Sequence, residues 1–192
     1  MNMQFYSNGN NVIFNKNILT RITKNNNIQN NNIQTDNSLE NTKQRWGSSI
    51  WFLFHTLAEK IKEEEFLNLK DQLLDIIKSI CMNLPCPECS SHATKYIQNL
   101  NYISIKKKDD LKIFLFNFHN YVNKRKGFKI FSLDELNSKY KKSNTINIIK
   151  NFILIYQYKN KSFNMIANEI QKQRQLDVFK NWINNNIQSF EL

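Results

Sequence analysis

Glycine and proline are scarce in this chain of 192 residues, with three of the first and two of the second. These residues punctuate tight turns, and an all-β sandwich or barrel needs a turn every ~8–12 residues. Helices suit this composition better than such folds do. Long apolar runs are also missing. The best, Ile148 to Tyr158, is interrupted by Lys150, Asn151 and Gln157, and is far shorter than the ~20 apolar residues that cross a bilayer. The first residues lack a charged start followed by an apolar stretch, so no secretory leader is read there. Acidic residues are absent before Asp36. That stretch has the sign of a mitochondrial presequence, but its asparagine runs argue against one. Cysteine is limited to Cys81, Cys86 and Cys89. An odd, clustered set does not make the disulfide framework of a secreted scaffold and points to a redox or metal site.

What the chain does have is lysine, asparagine, isoleucine, leucine and phenylalanine. An apolar fraction of 41% can supply a core, and the formal net charge is +11. A nucleic acid or an anionic surface is one partner for such charge. Outside Lys106-Lys107-Lys108 and Lys124-Arg125-Lys126, however, the basic residues are scattered. A solvated basic surface is the simpler reading.

Residues 1–43 are rich in Asn and Gln and bury too little apolar surface to offset their ordering entropy. They read as a flexible arm, with a short strand or helix from Val12 to Ile22 as an option. Ser48 or Ser49 is placed to cap a helix running to about Ile61, with Trp51, Phe54, His55 and Ala58 on one face. A second helix from about Phe66 to Met82 carries Leu69, Leu73, Ile76, Ile77 and Ile80 at helical spacing. The turn Leu84-Pro85-Cys86-Pro87-Glu88-Cys89 opens a third, to about Leu100. A fourth, from about Asp109 to Lys124, turns Leu111, Leu115, Phe118 and Val122 inward, places Asp109 and Asp110 at its positive end and stops at Gly127. A short helical piece spans Ser132 to Tyr140. The sequence thus predicts an all-α protein: an antiparallel bundle over 44–143 and a helical extension over 144–192. Phe152, Ile155, Phe163, Ile166, Ile170, Phe179, Trp182 and Ile183 supply the apolar faces of that extension.

Three constellations carry chemistry. Cys86 and Cys89, two residues apart at a helix start, suit a reducible disulfide. The helix N-terminus favours the thiolate of the first, and Pro87 fits a first turn that needs no donor. A rival reading is zinc, since Cys81, Cys86, Cys89 and His92 make a full tetrahedral set. It would imply a zinc-stapled, basic helical module that binds nucleic acid. Against it, Cys81 lies in an apolar helical run, where a buried free thiol is ordinary. The second constellation is Arg45-Trp46-Gly47 through Trp51 to His55, with Trp51 and His55 one turn apart. The third is His119-Asn120-Tyr121-Val122-Asn123-Lys124-Arg125, whose polar groups on an apolar helix need partners. Each alone also reads as an ordinary core helix.

In this order the three segments resemble the Erv/ALR sulfhydryl oxidases, over roughly Arg45 to Tyr140. In that family Trp-Gly-x-x-x-Trp-x-x-x-His, Cys-x-x-Cys and His-Asn-x-Val-Asn occur in sequence. The stretch Leu84 to Ala93 is most similar to the versions encoded by large cytoplasmic DNA viruses. The resemblance implies a four-helix bundle with a short fifth helix that holds FAD non-covalently, and no metal. It implies that Trp51 and His55 pack on the flavin nucleotide, with Arg45, Trp46, Gly47 and Val122 also in the cofactor site. His119, Asn120 and Asn123 would hold the adenine and phosphate portions, and Lys124 and Lys126 would neutralise the pyrophosphate. Tyr140 would be an aromatic contact, with His92 and Tyr96 lining the site.

A substrate dithiol would reduce the Cys86–Cys89 disulfide. Cys89, against the flavin, would then pass the electrons on, and oxygen would leave as hydrogen peroxide. The implied partners are protein dithiols, such as a viral redox carrier or virion proteins, and a second copy of the chain. The implied place is the host cytoplasm at a viral assembly site, or the virion, ahead of the mitochondrial intermembrane space. The chain departs from cellular members in lacking a shuttle cysteine pair, and it has Phe128 where relatives carry a lysine. A flavin-free thiol-transfer protein is the third reading.

Overall fold

Trp46, Ile50, Leu53, Phe54, Leu57, Ala58 and Ile61 recur at three- and four-residue spacing, and all are buried. They form the inner stripe of the first helix, α1, Ser38–Lys60. The computed structural model describes residues 38–157 and 166–192, with described side chains beginning at Trp46 in the first helix and Glu169 in the last. Helix α1 starts well before the expected serine caps. Leu39, Glu40, Lys43, Gln44 and Arg45 are strong helix formers and carry the helix upstream. Ser49 instead donates its hydroxyl to the Trp46 carbonyl at 3.1 Å, within the helix. Residues 38–43, expected in the arm, are therefore the first turns of α1. The expected element at Val12 to Ile22 lies outside the described residues.

Helix α2, Glu63–Met82, buries Leu69, Leu73, Ile76, Ile77 and Ile80 as the spacing predicts, and its first turn holds Glu63, Glu64 and Glu65. Helix α3 is Pro87–Gln98. Helix α4, Lys108–Lys126, has Asp109 and Asp110 in its first turn and Lys124, Arg125 and Lys126 in its last, the arrangement its dipole favours. It ends at Gly127, whose φ of 69° is the left-handed cap that suits glycine. Helix α5, Leu133–Lys141, opens with a capping box in which Ser132 and Glu135 exchange hydrogen bonds. Among the described residues all regular structure is helical, apart from one isolated bridge between Ile61 and Phe190. No described helix is long and apolar enough to cross a membrane.

Helices α1 to α4 form the bundle, and α5 is the short fifth helix, packed on α1. A 2.7 Å ion pair between Lys112 and Glu59, both largely covered, ties α4 to α1. Helix α6, Thr145–Tyr156, buries Ile149, Phe152, Ile153 and Tyr156 and is the most extensive packing partner of α1. Complete burial of such side chains contributes about 1.5–3 kcal/mol each, so the C-terminal helices share the core of the bundle. Helix α7, Ile166–Asn186, buries Leu176, Phe179 and Ile183. Ile170, expected on that face, is 51% exposed. At about 100° per residue it lies half a turn round from Phe179. Phe163 and the side chain of Ile166 lie outside the described residues. After α7 the chain returns to the end of α1. Glu191 donates its backbone N–H to the Lys60 carbonyl at 2.7 Å, and Lys62 donates to Ser189 at 2.9 Å.

Candidate functional site

The last turn of α2 and the first of α3 place the cysteines. Asn83 caps α2, and the carbonyls at that end have no partner within the helix. They are met from outside. Ser90 donates its hydroxyl to Cys81 and Met82 at 3.0 and 2.7 Å, and Tyr156 donates to Asn83 at 2.6 Å. Three residues on, Cys86 is the N-cap of α3, and Pro87 occupies the first turn. The Cys89 amide donates to Cys86 Sγ at 3.3 Å, a charge-assisting contact of the kind helix N-termini offer a sulfur. All three cysteines carry free thiols. Burial pushes the Cys89 thiol up to about 11, helped by its hydrogen bond with Cys86 and opposed by the charges of Lys126 and Arg125. Cys81 is fully buried, which pushes its thiol up strongly.

Cys89 faces a cleft of about 510 Å³, part of it open to solvent. Its walls are the rings of Trp46, Trp51, Phe54 and Phe118, and its basic edge is Arg125 and Lys126. Gly47, His92 and Val122 complete the sequence-predicted set that meets here, and Cys81 also reaches the wall. Cys86 lies outside the lining, at the α3 cap.

Trp51 joins this cleft to a second group of rings. It stacks on His119 with centroids 4.1 Å apart and planes 10° apart. His55 stacks on Tyr140 at 4.7 Å, and its Nε2 lies 3.1 Å from His119 Nδ1. Burial, then the neighbouring His119 and Lys139, lowers His55 to about 3. Burial, then Lys139, lowers His119 to about 4. Both rings are neutral at pH 7.

The amides act locally. Asn120 donates to the Phe131 carbonyl at 2.9 Å and accepts from its N–H at 2.8 Å, while Asn123 donates to Lys129 at 3.2 Å. They hold the loop between α4 and α5 and so aim Phe131 at the histidines. Tyr96 stacks on Phe118 at 4.5 Å, behind the cleft wall. Lys124 is exposed and not part of the lining, and the Arg45 side chain lies outside the described residues. Sequence reasoning missed Phe131 and Lys139. The ammonium of Lys139 sits 4.6 Å over Phe52 and 5.3 Å over Phe131. Phe131 is in a loop with no periodicity to mark it, and Lys139 is one lysine among many. Arg125 stood at the end of the His119 segment and in a basic run but was not assigned to the cofactor.

The zinc set does not assemble. Among the described residues no group of three or more His, Cys, Asp or Glu is placed to hold a metal. His92 Nε2 turns instead to Glu88 at 3.6 Å, and Cys81 faces inward from α2.

The Erv1/Alr family model matches residues 48–143, which contain the cysteine turn, the histidine pair and the cleft lining apart from Trp46 and Gly47. The chain belongs to the Erv1/Alr family. A protein of Invertebrate iridescent virus 3 is 35% identical over 81 residues, 42% of this chain and 55% of that protein. An FAD-linked sulfhydryl oxidase of African swine fever virus (isolate Tick/Malawi/Lil 20-1/1983) is 32% identical over 103 residues, 53% of this chain and 86% of the relative. An FAD-linked sulfhydryl oxidase of Oryza sativa subsp. japonica is 27% identical over 101 residues, 53% of this chain and 52% of the relative. The chain thus spans about half the length of the iridescent-virus and rice proteins and most of the swine fever virus enzyme. No solved structure matches it.

Proposed function

We propose that the protein is an FAD-linked thiol oxidase that makes disulfides in protein substrates. The observation that carries this is Cys89 at the wall of a ring-lined cleft with a cationic edge, one turn from its partner Cys86. That lining suits a flat ring system carrying phosphate: Trp46, Trp51 and Phe54 offer planar faces, and Arg125 and Lys126 offer positive charge. The relatives from African swine fever virus and rice carry the same activity in their names.

In this reading a substrate thiolate attacks Cys86 Sγ of the oxidised pair. A new S–S bond forms, and the Cys86–Cys89 bond breaks with Cys89 leaving as a thiolate that takes a proton. A second substrate thiol attacks the mixed disulfide, releases Cys86 and departs as a closed disulfide. Two electrons and two protons now sit on the pair. Bound FAD would supply the two-electron acceptor, with oxygen as the terminal acceptor and hydrogen peroxide as product. Trp46, Gly47, Trp51, His92, Val122, Arg125 and Lys126 would hold the cofactor. His55, His119 and Tyr140 would extend that surface as uncharged rings, with Arg45, Tyr96, Asn120, Asn123 and Lys124 around it. Burial holds the Cys89 proton in place at neutral pH until the pair is reoxidised.

The test is the visible absorption of the purified protein before and after anaerobic dithiothreitol. A flavin band that bleaches and then returns with air is expected, and Cys86→Ser or Cys89→Ser should keep the band and abolish the bleaching. A colourless protein that binds no added FAD would sink the reading; a redox-active pair in that sample would leave a flavin-free thiol-transfer protein. The same reading has two copies working together at a viral assembly site in the host cytoplasm. Sedimentation checks the dimer, and imaging of the tagged protein in infected cells checks the place.

A further inference from the structure

The family match ends at residue 143, yet the helices beyond it grip the helix that leads into the cysteine turn. Trp182 donates its indole N–H to Gln72 at 3.0 Å. Ser79 hydrogen-bonds Gln175. Tyr156 reaches the Asn83 carbonyl at 2.6 Å. Positions 72 and 79 share one face of α2, and Asn83 is the cap at its end. The C-terminal helices therefore hold α2 along a single stripe, and the stripe ends three residues before Cys86.

The last contact differs from the other two because of what it holds. The Asn83 carbonyl belongs to the residue that ends α2 and begins the turn. On the far side of the turn, Ser90, next to Cys89, is pinned to the Cys81 and Met82 carbonyls. The segment carrying Cys86 thus runs between two anchored points, one made by α3 itself and the other by α6. Tyr156 is 1% exposed and stacks on Phe152 at 4.9 Å, so its hydroxyl is presented by a rigid ring. The Asn83 side chain adds a 2.8 Å bond to the Ser79 carbonyl, which stiffens the same end of α2.

We infer that Tyr156 is a positioning residue for the redox pair: its hydroxyl, by fixing the Asn83 carbonyl, sets where Cys86 stands relative to Cys89. This rests on the redox reading of that pair. Closing a disulfide depends on the effective concentration of one thiol at the other. With the anchor gone, the stretch from Asn83 to Cys86 samples more positions, and the closed disulfide loses ground to the dithiol.

The experiment uses the full chain and Tyr156→Phe, which removes one oxygen and keeps the ring. The pair is equilibrated anaerobically across ratios of oxidised to reduced dithiothreitol, then trapped by alkylation and read by mass. Tyr156→Phe should shift the midpoint towards the dithiol by about threefold to tenfold, the range expected for one buried hydrogen bond. Ile149→Val, in the core of the same helix, serves as a control that lowers the melting temperature without touching the anchor, and its midpoint should match the unaltered protein. A lower melting temperature with an unmoved midpoint in Tyr156→Phe would make Tyr156 a packing residue only and overturn the inference. So would equal shifts in both variants. A pair that never closes in the unaltered protein at any ratio would instead bring down the redox reading, and the inference with it.

Discussion

His55 Nε2 and His119 Nδ1 stand 3.1 Å apart across the α1–α4 interface, so one ring donates and the other accepts. The contact requires the accepting nitrogen to be unprotonated, and burial keeps both rings neutral. Their folded values, about 3 and about 4, lie below the ordinary 6.5. Between those limits the unfolded chain binds more protons than the folded one, so stability rises with pH there. The histidine contribution is complete above about 6.5 and is lost as pH falls through about 4 and then about 3. Asp110 and Glu135 are also lowered, from 3.8 and 4.5, so they act below the window from 4.5 to 6.5. Melting temperature should fall across that window, and His119→Gln should flatten the fall. An unchanged slope in the variant would count against the neutral pair.

Asn120 spends both ends of its amide on the Phe131 backbone. Asn120→Ala should cost about 1–3 kcal/mol, the usual effect of stranding part-buried polar groups, and should weaken FAD binding through movement of Phe131. Thermal melts and flavin titration read the two effects separately. A variant with normal stability and weak FAD binding would make Asn120 a direct contact instead of a strut.

Removal of residues 144–192 tests the packing of α6 on α1. It would uncover the face of α1 that Ile149, Phe152 and Ile153 cover. The shortened chain should lack a cooperative unfolding transition and should aggregate. A truncated protein that melts sharply and keeps its flavin would show that the segment 44–143 folds alone.

Cys81 is buried completely, and its thiol is pushed up by that burial, so alkylation of the reduced native protein should spare it. Modification of Cys81 should appear only on unfolding, since the thiolate is the reactive form. Labelling at Cys81 as fast as at Cys86 and Cys89 would show the end of α2 to be open.

Much of the bundle was legible because its helices obey one period. Leu69, Leu73, Ile76, Ile77 and Ile80 announced α2, and Gly127 the end of α4. The cysteine turn was legible because Pro87 and the spacing of Cys86 and Cys89 have few alternatives. The start of α1 was not, because Ser48 and Ser49 look like caps whether or not the preceding residues are helical. Nor was the work of Asn120 and Asn123, since an amide that serves a cofactor and one that ties a loop look alike in sequence. Tyr156 carries no local signal at all, because its partner is a backbone carbonyl 73 positions away.

The closing contacts between Glu191 and Lys60 and between Ser189 and Lys62 join stretches about 130 positions apart. Such distant pairings form late. The end of α1 cannot be clasped until residue 191 has left the ribosome, and α6 must emerge before the apolar side of α1 is covered. At roughly 5–20 residues per second, the growing chain carries that exposed side for several seconds. The protein thus acquires this core only after synthesis has passed α7, and a chaperone that shields α1 in the interval should raise its yield.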